Sequence, residues 1–207
     1  MTGSSDFCMP RVSAVLAMIR DQGLMNLPRI ALDSLKLLDF HIFEINRGEL
    51  RAPLPVPDGV TMYADALDRL KRARAKRTDL PNEFWRDELN GALHCATLEL
   101  GGEMASVLWI YDYPAERPII VLEPGAAELT TTYTLERFRG RGLYRALLWF
   151  ATEWLLRERR RIFMVVDSHN QTPMKAVLEV GYHEVGVIRR RAIRGPKFSV
   201  ANMKAGL

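Results

Sequence analysis

Three arginines alternate with two glycines in the segment Arg137-Phe138-Arg139-Gly140-Arg141-Gly142. Such a segment binds anions when it joins the end of a strand to the start of a helix. The first amides of a helix have no partner within it, and the helix dipole adds partial positive charge there. Glycine lets the backbone come close to a ligand, phosphate suits the site, and arginine adds charge-assisted contacts. The same residues would also suit a basic surface turn. They form neither a phosphate-binding P-loop, which needs Gly-Lys-Ser/Thr, nor a dinucleotide GxGxxG, because position 145 is Arg.

The elements around this segment meet the requirement. A Thr-rich strand is expected over Glu128–Leu135, and a helix from about Gly142 to Arg157 with Leu143, Leu147, Ala151, Trp154 and Leu155 on one face. Ile162–Val166 is a continuous apolar run, which suits a strand buried on both faces. A helix over Thr172–Val180 closes at Gly181, and Tyr182–Ile193 supplies a final strand or two.

Upstream, Leu93–Leu100 and Met104–Tyr111 form a hairpin about Gly101-Gly102. Asp65–Arg77 is read as a helix whose basic run (Lys71, Arg72, Arg74, Lys76, Arg77) is a solvated face. Phe40–Asn46 and Val60–Tyr63 read as strands, and Ile119–Leu122 as a short one. Val12, Val15, Leu16 and Ile19, then Leu27, Ile30, Ala31, Leu35 and Leu38, carry helical spacing. A helical hairpin over residues 1–38 is therefore expected before a main domain at 39–207. The order of elements implies an α/β (α+β) sheet of 6–7 strands with helices on its faces.

Composition narrows the function classes. The 207 residues suit one buried core, and 48% hydrophobic with 26% charged residues is ordinary for a globular protein. Cys8 and Cys95 make no CxxC, and His41, His94, His169 and His183 have no metal-ligand spacing, so no metal is expected. No apolar run is long enough to span a membrane, and a cytoplasmic protein is expected. Residues 1–129 carry 14 Lys/Arg against 19 Asp/Glu, a balance of −5, while residues 130–207 carry 15 against 6, a balance of +9. The basic portion implies an anionic partner.

Thr134-Leu135-Glu136-Arg137-Phe138-Arg139-Gly140-Arg141-Gly142-Leu143 resembles the acyl-CoA signature of the GNAT superfamily of N-acetyltransferases, Val-x-Pro-x-Tyr-Arg-Gly-x-Gly. Downstream, Asn170, a helix and Gly181-Tyr182 resemble that family's Asn, short helix and Gly-Phe. The resemblance covers roughly residues 60–194 and leaves residues 1–50 outside.

It implies that the amides of Arg139 to Leu143 bind the pyrophosphate of acetyl-CoA or another acyl-CoA, with Arg137 and Arg141 adding charge. It also implies that Tyr133-Thr134-Leu135 pairs with the pantetheine amides, that Asn170 faces the cofactor arm, and that the thioester enters between two splayed strands. Glu136 replaces the usual Pro, and Val177 occupies the position of the Tyr that protonates the leaving thiolate. Glu128 is a candidate base and Tyr133 a candidate acid, each also readable as structural; His94 and His169 are weaker candidates.

The expected reaction is transfer of an acetyl or other short acyl group to an amine in a ternary complex. An acyl-carrier-protein donor is one alternative. A catalytically inactive module binding protein or nucleic acid through Arg189-Arg190-Arg191, Arg194 and Lys197 is another; no stacking aromatics interleave there, so nucleic acid is not the expected partner. The acidic N-terminal part suits a cationic acceptor. The helical hairpin could pack on its own sheet or on a second copy, as in a homodimer.

Overall fold

A computed structural model describes residues 37–53, 55–77, 79–114, 119–191 and 198–199. The strands are β1 (Leu37–Asn46), β2 (Val60–Tyr63), β3 (His94–Leu100), β4 (Glu103–Asp112), β5 (Ile120–Val121), β6 (Ala126–Thr134), β7 (Arg161–Asp167), β8 (His183–Arg191) and β9 (Phe198–Ser199). The α-helices are α1 (Leu67–Lys76), α2 (Arg86–Asn90), α3 (Leu143–Leu155) and α4 (Gln171–Val180), and single 3-10 turns lie at Asn82–Trp85 and Glu136–Phe138. The expected helical pair before residue 37 lies outside the described residues, and Leu38, expected on its second helix, belongs to β1.

Seven strands form one sheet, within the 6–7 that the sequence implied, in the order β2-β3-β4-β6-β7-β1-β8. Every neighbouring pair is antiparallel except β6 and β7, which run parallel. β1 lies between β7 and β8, so a strand from outside the family-like region completes the sheet interior. It is tied to β7 by charge. Arg161 donates to both Glu44 carboxylate oxygens at 2.5 and 2.8 Å, and to Glu123 at 2.7 Å.

Alternation along the strands gives the sheet two faces. One face carries Leu98, Leu108, Ile110, Leu129, Ile162 and Met164, which form one core with Leu143, Leu147, Ala151 and Leu155 of α3 and Val177 and Val180 of α4. The other face is covered in two places. Toward β3, Ala66 N–H bonds Cys95 O at 2.8 Å, and Trp109 Nε1 donates to Glu83 O at 2.6 Å. Toward β1, the short parallel pair of β5 and β9 covers Ile42 and Phe163 through Ile120.

The basic run of α1 is not wholly solvated. Arg74 is only 5% exposed; it donates to Asp87 at 2.6 and 2.8 Å and to Phe84 O at 3.0 Å, clasping α1 to the following turn and α2. Its long stem packs apolar surface, and the charge is met inside. The basic end of β8 is likewise engaged. Arg189 bonds Asp39 at 2.6 and 2.7 Å, and Arg190 is 4% exposed, which removes two of the cations available to a nucleic acid.

α4 ends at Gly181, with φ +122°. A Cβ there would sit 2.5 Å from Glu49 O, so only glycine lets the turn after β1 lie against this end of the helix.

Candidate active site

The site is built at one irregularity in the sheet. β6 and β7 pair through Ala126–Arg161, Ala127–Ile162, Glu128–Phe163 and Leu129–Met164, and the ladder then stops. Both strands continue, β6 to Thr134 and β7 to Asp167, the latter still paired with β1. The divergence has a local cause. The register between β4 and β6 shifts between Val107 and Trp109, which face Tyr133 and Thr130, and Thr131 adopts φ +42°. This is a β-bulge, which bends its strand and re-aims its residues.

Past the splay, β6 runs into the 3-10 turn and then the glycine loop. Gly140 and Gly142 have φ of +76° and +74°, a region that costs other residues strain. Gly142 caps α3 without a side chain, and the first helical bond is from Ala146 N–H to Gly142 O at 3.1 Å. The amides of Leu143, Tyr144 and Arg145 therefore have no partner within the helix. α4 starts the same way: Asn170 makes no side-chain cap bond, and Met174 N–H reaches Asn170 O at 3.4 Å.

Both helix starts open on one cavity of about 840 Å³. β6 contributes Thr132, Tyr133 and Thr134, the loop Arg139, Gly140 and Gly142, and α3 Leu143, Tyr144 and Arg145. Asn170, Gln171, Thr172, Lys175 and Glu179 form the α4 wall. The sequence-predicted Tyr133, Thr134, Arg139, Gly140, Gly142, Leu143 and Asn170 thus meet at one surface.

Four other candidates are placed differently. Leu135 is 7% exposed, and its amide bonds Ala105 O at 2.9 Å. Arg137 turns to Glu103 and lies over the Phe138 ring at 4.9 Å. Arg141 lies over the same ring at 5.9 Å. Glu128 is 2% exposed, across from Tyr111 on β4, and does not line the cavity. The three arginines divide because the 3-10 turn at Glu136–Phe138 and the positive φ of Gly140 and Gly142 break the two-residue alternation that would aim them one way, and of the three only Arg139 lines the cavity. Its Nε bonds Thr134 O at 3.1 Å, and its guanidinium lies over the Tyr133 ring at 5.2 Å.

Sequence reading missed Tyr144, Arg145, Lys175 and Glu179. Gln171, Lys175 and Glu179 recur every fourth residue, the spacing of one helix face, which was the available signal. Arg145 bonds Glu179 at 2.7 Å and holds that carboxyl below its usual range. With Arg139 and Lys175, the cavity carries three cations against one carboxylate. Burial pushes the Tyr144 phenol up, so it stays neutral and protonated. Val177 is fully buried in the α4 core. Among the described residues no group of three potential metal ligands occurs, and no helix is long and apolar enough to cross a membrane.

Solved structures share this architecture. A GNAT-family protein from Novosphingobium aromaticivorans aligns with a TM-score of 0.51 at 13% identity, over 75% of this chain and 63% of its own. A GCN5-related N-acetyltransferase from Kribbella flavida aligns with a TM-score of 0.51 at 14% identity, over 86% and 74%. A GNAT-family acetyltransferase from Colwellia psychrerythraea aligns with a TM-score of 0.52 at 14% identity, over 89% and 72%. This chain thus spans less than two thirds of the Novosphingobium protein. At these identities the likeness is one of fold. No curated protein sequence matches the chain. The family model for GNAT acetyltransferases matches residues 60–182, from β2 through the glycine loop to the end of α4, and on that match the chain belongs to the GNAT acetyltransferase family.

Proposed function

We propose that the protein transfers an acetyl or other short acyl group from acyl-CoA to an amine, by direct attack while both are bound. The observation that carries this reading is the end of the β6–β7 ladder at Leu129–Met164 beside a cavity floored by two uncapped helix starts. A narrow acyl-bearing arm fits between diverging strands, and the free amides suit a pyrophosphate. The cationic excess from Arg139, Arg145 and Lys175 matches the phosphates of the same molecule.

Bound acyl-CoA supplies the thioester carbonyl that the amine attacks. Amides from Gly140 to Leu143 hold the pyrophosphate, that of Arg139 being given to Glu136 O at 3.1 Å. Thr134 meets the pantetheine arm at the strand end, which Leu135 anchors through its own bonds to Ala105 and Phe138, and Asn170 bonds the arm from the α4 side. A backbone N–H of the bulged segment Thr130–Thr132 steadies negative charge on the carbonyl oxygen, an effect that is strong in a site closed to water. Tyr133 lines the cavity and hands a proton to the leaving sulfur, replacing the Tyr absent at Val177. A thiolate with a pKa near that of free Cys, about 8.5, needs little acid help. Glu128 is buried at the edge of the splay on the face opposite α3 and α4, the side from which a cationic amine approaches. The −5 balance of residues 1–129 favours the same class of acceptor.

The test is release of free thiol from acetyl-CoA across a panel of primary amines. Release that depends on an added amine supports the reading. Amine-independent release alone, with no acylated amine in the product mixture, contradicts it.

A further inference from the structure

All four histidines of the chain face a carboxylate. Nδ1 of His41 lies 2.8 Å from Glu184, that of His94 2.8 Å from Asp65, that of His169 2.9 Å from Asp167 and that of His183 3.7 Å from Glu49. His169 differs by position. Asp167 is the last residue of β7, three residues past the end of its ladder with β6, and the residue after His169, Asn170, lines the cavity.

The register also sets the face. Phe163 pairs with Glu128, and Asp167 lies four residues beyond Phe163, so Asp167 shares a face with Glu128 and Thr130. That is the face away from α3 and α4. Asp167 therefore borders the splay on the side opposite the glycine loop's helix, where an acceptor could enter without crossing the donor cavity.

The turn holds the imidazole in one orientation. Asp167 Oδ1 accepts from His169 N–H and contacts its Nδ1, both at 2.9 Å. Ser168 N–H bonds Asp39 O at 2.9 Å, and Asn170 N–H bonds Asp167 O at 2.8 Å. A neutral imidazole whose Nδ1–H is given to a carboxylate has its free lone pair on Nε2. The side chain is 77% exposed, so that nitrogen is open to a substrate.

We propose that His169, oriented by Asp167, is the base that deprotonates the acceptor amine. This rests on the acyl-transfer reading above. The acceptor, arriving as an ammonium, gives one proton to Nε2. Its freed lone pair forms the new N–C bond to the acyl carbonyl, and the C–S bond breaks with its electrons on sulfur. The second surplus proton on nitrogen passes to sulfur through Tyr133, which gives its own proton and regains that one. The imidazolium returns its proton to solvent. Among the described residues the ring meets Asp167 on β7 and acts on Asp39 on β1, whose carboxyl the bond from Arg189 on β8 holds below its usual range. His41 on β1 also acts on Asp39.

Nitrogen-15 NMR of the ring tests orientation without an acceptor. The expected result is the Nδ1–H tautomer in the wild type, with that preference weakened in Asp167→Asn. In thiol-release assays with the amine panel, His169→Gln should fall about a hundredfold at neutral pH. The loss should shrink as pH rises toward the pKa of the amine itself, about 10 for a lysine-like amine, with acetyl-CoA affinity unchanged. The Nε2–H tautomer in the wild type, or wild-type rates in His169→Gln throughout the pH range, would overturn the assignment. Wild-type protein that binds no acetyl-CoA would remove the transfer reading, and this proposal with it.

Discussion

Leu129 and Met164 are the last residues to pair across the parallel seam of the sheet. Two residues beyond Leu129, Thr131 takes φ +42°, and from there β6 follows β4 while β7 follows β1. A sheet that opens in its middle leaves backbone groups without a ladder partner, and those groups must find other partners. The proposed acyl donor arm meets that requirement.

The glycine loop gives the first prediction. Valine at Gly140 or Gly142 would have to adopt φ of +76° or +74°. Each change should cost about 1 to 3 kcal/mol of stability and weaken CoA binding more than a hundredfold. Open space around the Gly140 Cβ position argues that the fold survives, which circular dichroism checks. Normal CoA affinity in a folded Gly140→Val/Gly142→Val protein would place the pyrophosphate elsewhere.

Arg139 and Arg137 should behave differently, although both belong to the motif. Arg139 lines the cavity, whereas Arg137 is engaged with Glu103. Arg139→Ala should raise the Kd for CoA about tenfold, the effect of losing one charge-assisted contact, and should flatten its salt dependence. Arg137→Ala should change the Kd less than about twofold. Calorimetry at two salt concentrations checks both.

The loop was legible because glycine type reports backbone conformation and arginine type reports charge, and both are local properties. The place of β1 was not. Phe40–Asn46 reads as a strand from composition, but alternation carries no information about partners, and Glu44 meets Arg161 across 117 intervening steps of chain. Arg74 was misread for a related reason: one charge in a run of five looks solvated until Asp87 is brought beside it by the fold. The α4 wall lay between these cases, since its four-residue spacing shows a face but not what the face meets.

The β1–β7 clasp carries the second stability prediction. Glu44→Gln takes one carboxylate from the Arg161 guanidinium while Glu123 stays, and Glu44 itself is buried. The variant should lose about 3 kcal/mol, seen as a lower urea midpoint with an unchanged slope. A change within error would mean that the Glu44–Arg161 pair adds little to holding β1 against β7.

Asp87 sets an acid limit. Burial raises its carboxyl pKa, but the bonds from Arg74 outweigh that and hold it below its usual value. Its contribution is fully present above the unfolded value of about 3.9 and is lost as pH falls through the lower folded value. Wild-type stability should therefore fall with acid across that window. Asp87→Asn should be less stable at neutral pH and show a shallower acid decline. Equal slopes in urea midpoint against pH would contradict this.

The most direct test of the central claim is calorimetric titration of the intact protein with acetyl-CoA and with free CoA, at low and at moderate salt. The account predicts one saturable site of micromolar order that weakens as salt rises, with CoA competing for it. Absence of binding by either compound to folded protein would contradict the proposed acyl-CoA site and turn attention to an acyl-carrier donor or a non-catalytic role.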